Sequence, residues 1–191
     1  MFRVITFLLT LFLMLYTGCA SQQAPGGGPE DKTGPLLVAQ TIVDGATDLQ
    51  PNENLIFHFS EVLDPLSVKK AVTLFPLNRT EIEVKVRRNR VIIKPKPAWD
   101  ESLIYLLLLD RSISDLRRNN TQSPLSLAFS TGKKIPQTHL SGYVSGLKKG
   151  EEATIILSQS ADSLYQKVLY RTQANEFALW SLKRVPEGVY Y

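Results

Sequence analysis

Few residues in this chain of 191 can do chemistry. There is one cysteine, Cys19, and there are two histidines, His58 and His139. A nucleophilic triad or a transition-metal site needs such side chains to converge, and His-x-His or His-x-x-x-His spacing is the usual local trace; neither occurs. His58 falls on the polar side of an alternating segment and His139 opens another, so both read as solvated strand residues. Glu61 and Asp64 are close enough in sequence to suggest acid/base work or calcium. No second acidic cluster joins them, and they read as turn and capping residues. A Gly-x-Gly-x-x-Gly motif and a Walker-type lysine are absent, and Gly26-Gly27-Gly28 does not sit between a strand and a helix. A lone cysteine also excludes an internal disulfide framework and a cysteine-rich zinc site. The sequence therefore assigns no catalytic residue, no metal site and no small-molecule cofactor.

Cys19 itself stands at an informative place. Residues 4–16 carry no charge and follow Arg3. As a helix they would span roughly 20 Å, short of the hydrocarbon core of about 30 Å, so they read as a signal-peptide core. The run ends in Leu15-Tyr16-Thr17-Gly18-Cys19, which resembles the lipobox of bacterial lipoproteins, where a small residue precedes a cysteine whose thiol becomes a lipid thioether. The resemblance implies cleavage of residues 1–18 between Gly18 and Cys19, and a covalent lipid on Cys19 with palmitate among its acyl chains. An ordinary secretory signal with an incidental cysteine, or a single anchor helix, are the alternatives. Residues 19–35 are rich in Gly, Pro and polar side chains, the composition of a solvated tether reaching about 3 Å per residue. Ala20, with no acidic run after the cysteine, resembles Gram-negative lipoproteins sorted to the outer membrane. This implies a periplasm-facing rather than a surface-exposed position in the cell envelope.

Composition bounds the rest. The chain is 43% hydrophobic and 21% charged, with a formal net charge of +4, values of an ordinary globular polypeptide rather than of disorder, collagen or a polytopic membrane protein. That surplus is too small to imply nucleic acid without a patch to concentrate it. The densest positive charge lies in residues 79–96, where seven Lys or Arg face two Glu. Arg87, Arg88 and Arg90 fall at the tip of an expected hairpin. They are the candidate contacts for an anionic partner, whether lipid, lipopolysaccharide, glycan or acidic protein. The bland alternative is a soluble hairpin end whose charges discourage edge pairing.

The elements that hold these residues read as strands. Apolar side chains alternate with period two at Leu55, Phe57 and Phe59, at Ile82, Val84 and Val86, and at Leu125, Leu127 and Phe129, so each segment has one apolar side. Further strands are expected at 36–43, 72–75, 91–94 and 103–110, and a single helical turn at 64–70. The 103–109 run is almost continuously apolar, which periodicity alone does not assign to strand or helix; its length and flanking turns favour a central strand. About seven strands in about 100 residues predict an all-β fold with an Ig-like β-sandwich. After a linker at 133–138, strands at 139–144, 153–159, 164–171 and 176–182 and a turn into another at 186–190 predict a partial second β-sandwich unit.

Several short motifs carry a resemblance. Gly27-Gly28-Pro29-Glu30-Asp31, Asp44-Gly45-Ala46-Thr47, Leu55-Ile56-Phe57-His58-Phe59-Ser60-Glu61 and Phe129-Ser130-Thr131-Gly132 resemble the bacterial Ig-like domain of SbsA type, in the lipoprotein form found in Bacteroidota, over residues 33–132. The family implies a spacer or binding module with no catalytic residues. Gly142-Tyr143-Val144, Ile155-Ile156-Leu157, residues 177–182 and Gly188-Val189-Tyr190 resemble a transthyretin-like, carboxypeptidase-regulatory-type module over 139–191. The expected function is a non-enzymatic envelope lipoprotein whose partners are the membrane, through its lipid anchor, and an envelope protein or glycan. Two alternatives stay open. One is a glycan-binding or handling module, or the front of a longer enzyme, suggested by Trp99, Tyr105, Trp180, Tyr190 and Tyr191; each of these is also explained by core or edge packing. The other is an assembly scaffold that recruits a partner strand at its C-terminal edge.

Overall fold

The computed structural model describes residues 28–77, 79–158 and 168–191. Gly18, Cys19, the leader and the first part of the tether lie outside them. Residues 28–31, the described part of a first unit (Met1–Asp31), contain no helix or strand. Lys32–Tyr191 form a second compact unit that holds both hydrophobic cores and every described element. Gly34 and Pro35, the last residues of the stretch read as tether, are already buried in it. Among the described residues no helix is long and apolar enough to cross a membrane.

Seven strands make the predicted sandwich. β1 (Leu37–Gln40), β2 (Leu55–Phe59), β5 (Arg90–Lys96) and β4 (Glu81–Arg87) form one antiparallel sheet in that spatial order, and β3 (Val72–Phe75), β6 (Ile104–Leu109) and β7 (Leu125–Ser130) form the other. The alternation read from sequence sets their facing sides. Leu55, Phe57, Phe59, Val91 and Ile93 from the first sheet meet Tyr105, Leu107, Leu109, Leu127 and Phe129 from the second in one core. Trp99 is buried there, with its ring edge-on to Tyr105 and Phe129 at 5.1 and 5.2 Å between centroids, and its indole N–H donates to the Glu53 carbonyl at 2.9 Å. Burying an aromatic with its polar atom satisfied makes it a core anchor rather than a ligand platform.

The helical segment expected at 64–70 forms one residue later and makes about two turns rather than one: α1 runs Pro65–Ala71. Asp64 caps it, accepting from the Leu66 and Ser67 N–H groups at 3.1 and 3.3 Å, Pro65 starts it, and Lys69 and Lys70 lie in its last turn. These are favourable placements for the free N–H groups and for the helix dipole. Val68 and Ala71 are buried against the sandwich core, and that packing sustains a helix too short to persist alone.

β6 resolves the ambiguity of its own sequence. It is the central strand of its sheet, and both its faces are covered. Tyr105, Leu107 and Leu109 point into the sandwich core, whereas Leu106 and Leu108 join Phe75 and Ala128 in a second core on the outer side of the sheet. That second core is closed by the C-terminal strands β8 (His139–Tyr143), β9 (Thr154–Ser158), β10 (Val168–Gln173) and β11 (Leu179–Lys183), paired as the antiparallel ribbons β8–β11 and β9–β10. Tyr170, Leu182 and Val185 are its buried contributions from this side. Ile135, from the stretch read as a linker, packs against them. A strand buried on both faces reads as a continuous apolar run, and this one does.

Among the described residues Gly188, Val189 and Tyr190 belong to no ladder, and Tyr191 exchanges two backbone hydrogen bonds with Ser158 at 2.9 and 3.0 Å.

Candidate functional site

Three loops and the start of β1 are stitched together at one end of the sandwich. The β4–β5 hairpin turns through Arg88 and Asn89, with Arg87 opposite Arg90. Asn89 ties this tip to the end of β2: its carbonyl accepts from the Phe59 N–H and its side-chain amide donates to the Phe59 carbonyl, both at 2.8 Å. The Arg88 carbonyl accepts from Leu63 N–H at 3.0 Å, Leu63 bridges to Asp115, and Asp64 N–H donates to the Ser114 carbonyl at 2.9 Å. On the other side Leu36 exchanges hydrogen bonds with Ser60, through backbone and hydroxyl, at 2.8 and 3.0 Å. Gly34 lies so close to the 120–121 backbone that a Cβ there would stand 1.9 Å from the Asn120 carbonyl oxygen. Only glycine fits that position. The chain therefore enters the fold beside the loop that carries Leu116, Arg117 and Arg118.

Two carboxylates at this end, Asp64 and Asp115, are engaged in hydrogen bonds within the fold. Asp64 caps α1. Asp115 is buried and accepts from the Arg117 and Asn119 backbone N–H groups, both at 2.8 Å, and from the Asn119 side chain at 2.9 Å. Burial pushes its carboxyl up, but the hydrogen bonds from Asn119 and Arg117 outweigh that and hold it below the ordinary aspartate range. Farther along the hairpin, Glu83 pairs with Lys85 at 3.1 Å and Glu81 with Lys96 at 3.8 Å; the Lys85 hydrogen bond holds the Glu83 carboxyl below its usual range. Arg87, Arg88 and Arg90 are exposed, and among the described residues no carboxylate pairs with them. Sequence reading missed Arg117 and Arg118, which lie in a loop remote in sequence and joined to the tip through Leu63.

The other candidates do not assemble. His58 is half-buried opposite Arg90 on the outer side of β2, and His139 is exposed at the start of β8. Asp64 turns to the helix, while a Glu61 carboxylate oxygen lies within 4.8 Å of one from Asp115 instead. Trp180 lines a cleft of about 270 Å³ with Ser126, Gln173 and Lys183, but no second aromatic among the described residues lines it. Tyr143, the exposed aromatic on the paired strand, is opposite Leu179 and so projects from the other face of that ribbon.

A larger set of contacts fixes the C-terminal ribbons to the sandwich. Arg171 donates to the Thr73 hydroxyl at 2.6 Å, the Arg111 N–H donates to the Gln173 side-chain oxygen at 2.7 Å, and Arg184 pairs with Asp44 at 3.2 Å. With the shared core behind them, these contacts make one continuous body of the two parts.

The sequence model of a family described as a bacterial Ig-like domain matches residues 31–131. No protein of curated function matches the chain. Among solved structures, the chain is similar to the LD transpeptidase LdtMt1 in complex with imipenem, at 13% identity over 74% of each chain with a TM-score of 0.37. It is also similar to the N-terminal part of the bacterial S-layer protein SbsC, at 9% identity over 76% of this chain and 42% of that one, with a TM-score of 0.36. An L,D-transpeptidase from Mycobacterium smegmatis is similar at 13% identity over 83% of this chain and 79% of that one, also with a TM-score of 0.36.

Proposed function

The chain belongs to the bacterial Ig-like domain family, and from that premise we propose that it is a membrane-anchored lipoprotein of the bacterial cell envelope whose Ig-like domain is a non-catalytic binding or spacer module. One observation carries the anchor: the only cysteine of the chain stands at the end of a short apolar run, directly after a small residue, Gly18. Two or three acyl chains on Cys19 make attachment effectively permanent. The outer membrane, on its periplasmic side, is the location that Ala20 and the missing acidic run favour. Twelve residues lie between Cys19 and Lys32, a length of chain that reaches at most about 45 Å when fully extended.

In this reading the molecule works by holding a rigid body at high effective concentration near a membrane, without a reaction centre. Of the aromatics that suggested glycan handling, Trp99 and Tyr105 pack in the first core and Tyr190 against the second, while Trp180 lines a cleft and Tyr191 is exposed. The test is a capture experiment from envelope extracts with the anchored protein beside a Cys19→Ala form. Envelope proteins or glycans retained by the anchored form alone support an anchored binding module. Turnover of any envelope glycan by the purified protein would sink the non-catalytic reading.

A further inference from the structure

We propose that the end of the sandwich where the chain enters is a lipid-contact surface, built to lie on the anionic headgroups of a phospholipid bilayer. The location relative to the membrane rests on the anchor reading above; the surface chemistry does not. Arg87, Arg88, Arg90, Arg117 and Arg118 are exposed there, from two loops joined by the Arg88–Leu63–Asp115 backbone contacts. The same loops and their flanks also carry exposed apolar side chains: Leu66 and Leu116 are each 68% exposed, Leu36 is 52% and Val62 is 39%. Within the segments 34–36, 60–66, 87–90 and 110–121 no carboxylate is exposed, since Glu61, Asp64 and Asp110 are half-buried and Asp115 is buried.

This pairing of charge with exposed leucines fits a surface that takes both; an acidic protein would do so only with apolar side chains of its own beside its carboxylates. A bilayer takes both, with guanidinium groups at the phosphates and leucines at the headgroup boundary. Gly34, near the start of the compact unit, lies against the Asn120 backbone at this same end. The hairpin tip supports a fixed geometry, because Asn89 locks it to Phe59. Arginines held on a rigid edge meet the bilayer together.

The experiment uses the compact unit 32–191, which lacks Cys19 altogether, so its outcome is separate from that of the anchor. Co-sedimentation is measured with vesicles of phosphatidylglycerol and phosphatidylethanolamine, and with vesicles of phosphatidylcholine alone. Binding to the anionic vesicles and not the neutral ones is expected, weakening as salt screens the charges. The double variant R88E/R118E lowers binding by about tenfold or more, at the usual weight of a basic residue near an anionic surface. L66S/L116S also lowers it, whereas K133E/K134E, at the opposite end beyond β7, leaves it unchanged. All six positions are exposed, and an unchanged melting temperature identifies variants that still fold. Equal binding to neutral vesicles, no vesicle binding at all, or a loss caused by K133E/K134E as large as that from R88E/R118E would overturn the proposal.

Discussion

The Arg184 guanidinium lies 3.2 Å from the Asp44 carboxylate, across 140 positions of sequence, and covers the Asp44-Gly45 turn so closely that a Cβ on Gly45 would stand 2.4 Å from its central carbon. Asp44 is held in place from behind, since its other oxygen accepts from the Ala128 N–H of β7 at 2.9 Å, and Arg184 reaches Gln137 at 3.1 Å with a second nitrogen. A turn of the Ig-like sandwich, its central sheet and the C-terminal ribbons thus meet in one polar cluster. Asp44→Ala breaks the ion pair and leaves the Ala128 N–H without its acceptor. It is expected to cost about 1–3 kcal/mol, measured by denaturant unfolding.

Gly45→Ala tests the same contact from the other side. Gly45 has φ +89°, a backbone region that L side chains rarely adopt, and its missing Cβ makes room for the guanidinium. Strain and clash together predict a loss of at least about 1 kcal/mol, and the double variant with Arg184→Ala recovers the clash part. A Gly45→Ala protein as stable as the parent would show that Arg184 does not pack on this turn.

β6 predicts a pattern that depends on face. Leu107→Ala opens the sandwich core and Leu108→Ala opens the second core, and both residues are buried. Each is expected to lose about 2–5 kcal/mol, whereas Leu116→Ala, on an exposed loop residue, changes stability by less than about 0.5 kcal/mol. If the C-terminal ribbons were not packed on this sheet, Leu108→Ala would behave like the surface change. Thermal unfolding of the three variants decides.

The second core also carries a pH signature. Burial, reinforced by the neighbouring Tyr190, pushes the Tyr170 hydroxyl up to about 12. Its ring packs against those of Phe75 and Tyr190 at 6.3 and 6.1 Å between centroids. A folded-state value above the ordinary one favours the fold while the group is neutral. That stabilisation is complete below about pH 10 and is lost as pH rises from there toward 12. Near-ultraviolet circular dichroism is expected to show alkaline loss of packing in that window, and Tyr170→Phe to flatten it.

These features differ in how legible they were in the sequence. The apolar alternation at Leu55, Phe57 and Phe59 is a local property of a half-buried strand, and it placed β2 within the core without help from tertiary contacts. The run in β6 was ambiguous for a physical reason: covering both faces removes the period on which the distinction depends. The Asp64-Pro65 signal located the start of α1, but its length is set by Val68 and Ala71 packing on the sandwich, which no local motif records. Arg87, Arg88 and Arg90 were visible as a charge cluster. Arg117, Arg118, Leu66 and Leu116 were not, because they join that cluster only when Leu63 and Asp115 bring separate loops together. The Asp44–Arg184 pair, 140 residues apart, had no sequence trace beyond an ordinary turn motif.

Anchoring depends on Cys19, and one measurement reads that residue directly: the intact mass and tandem fragmentation of the N-terminal peptide from protein isolated from bacterial membranes. The predicted result is a chain that begins at Cys19 and carries acyl chains on that residue, with a Cys19→Ala form that lacks them and, once its leader is removed, leaves the membrane fraction. A mature chain that retains residues 1–18, or one that begins elsewhere with an unmodified thiol while still membrane-bound, would contradict it.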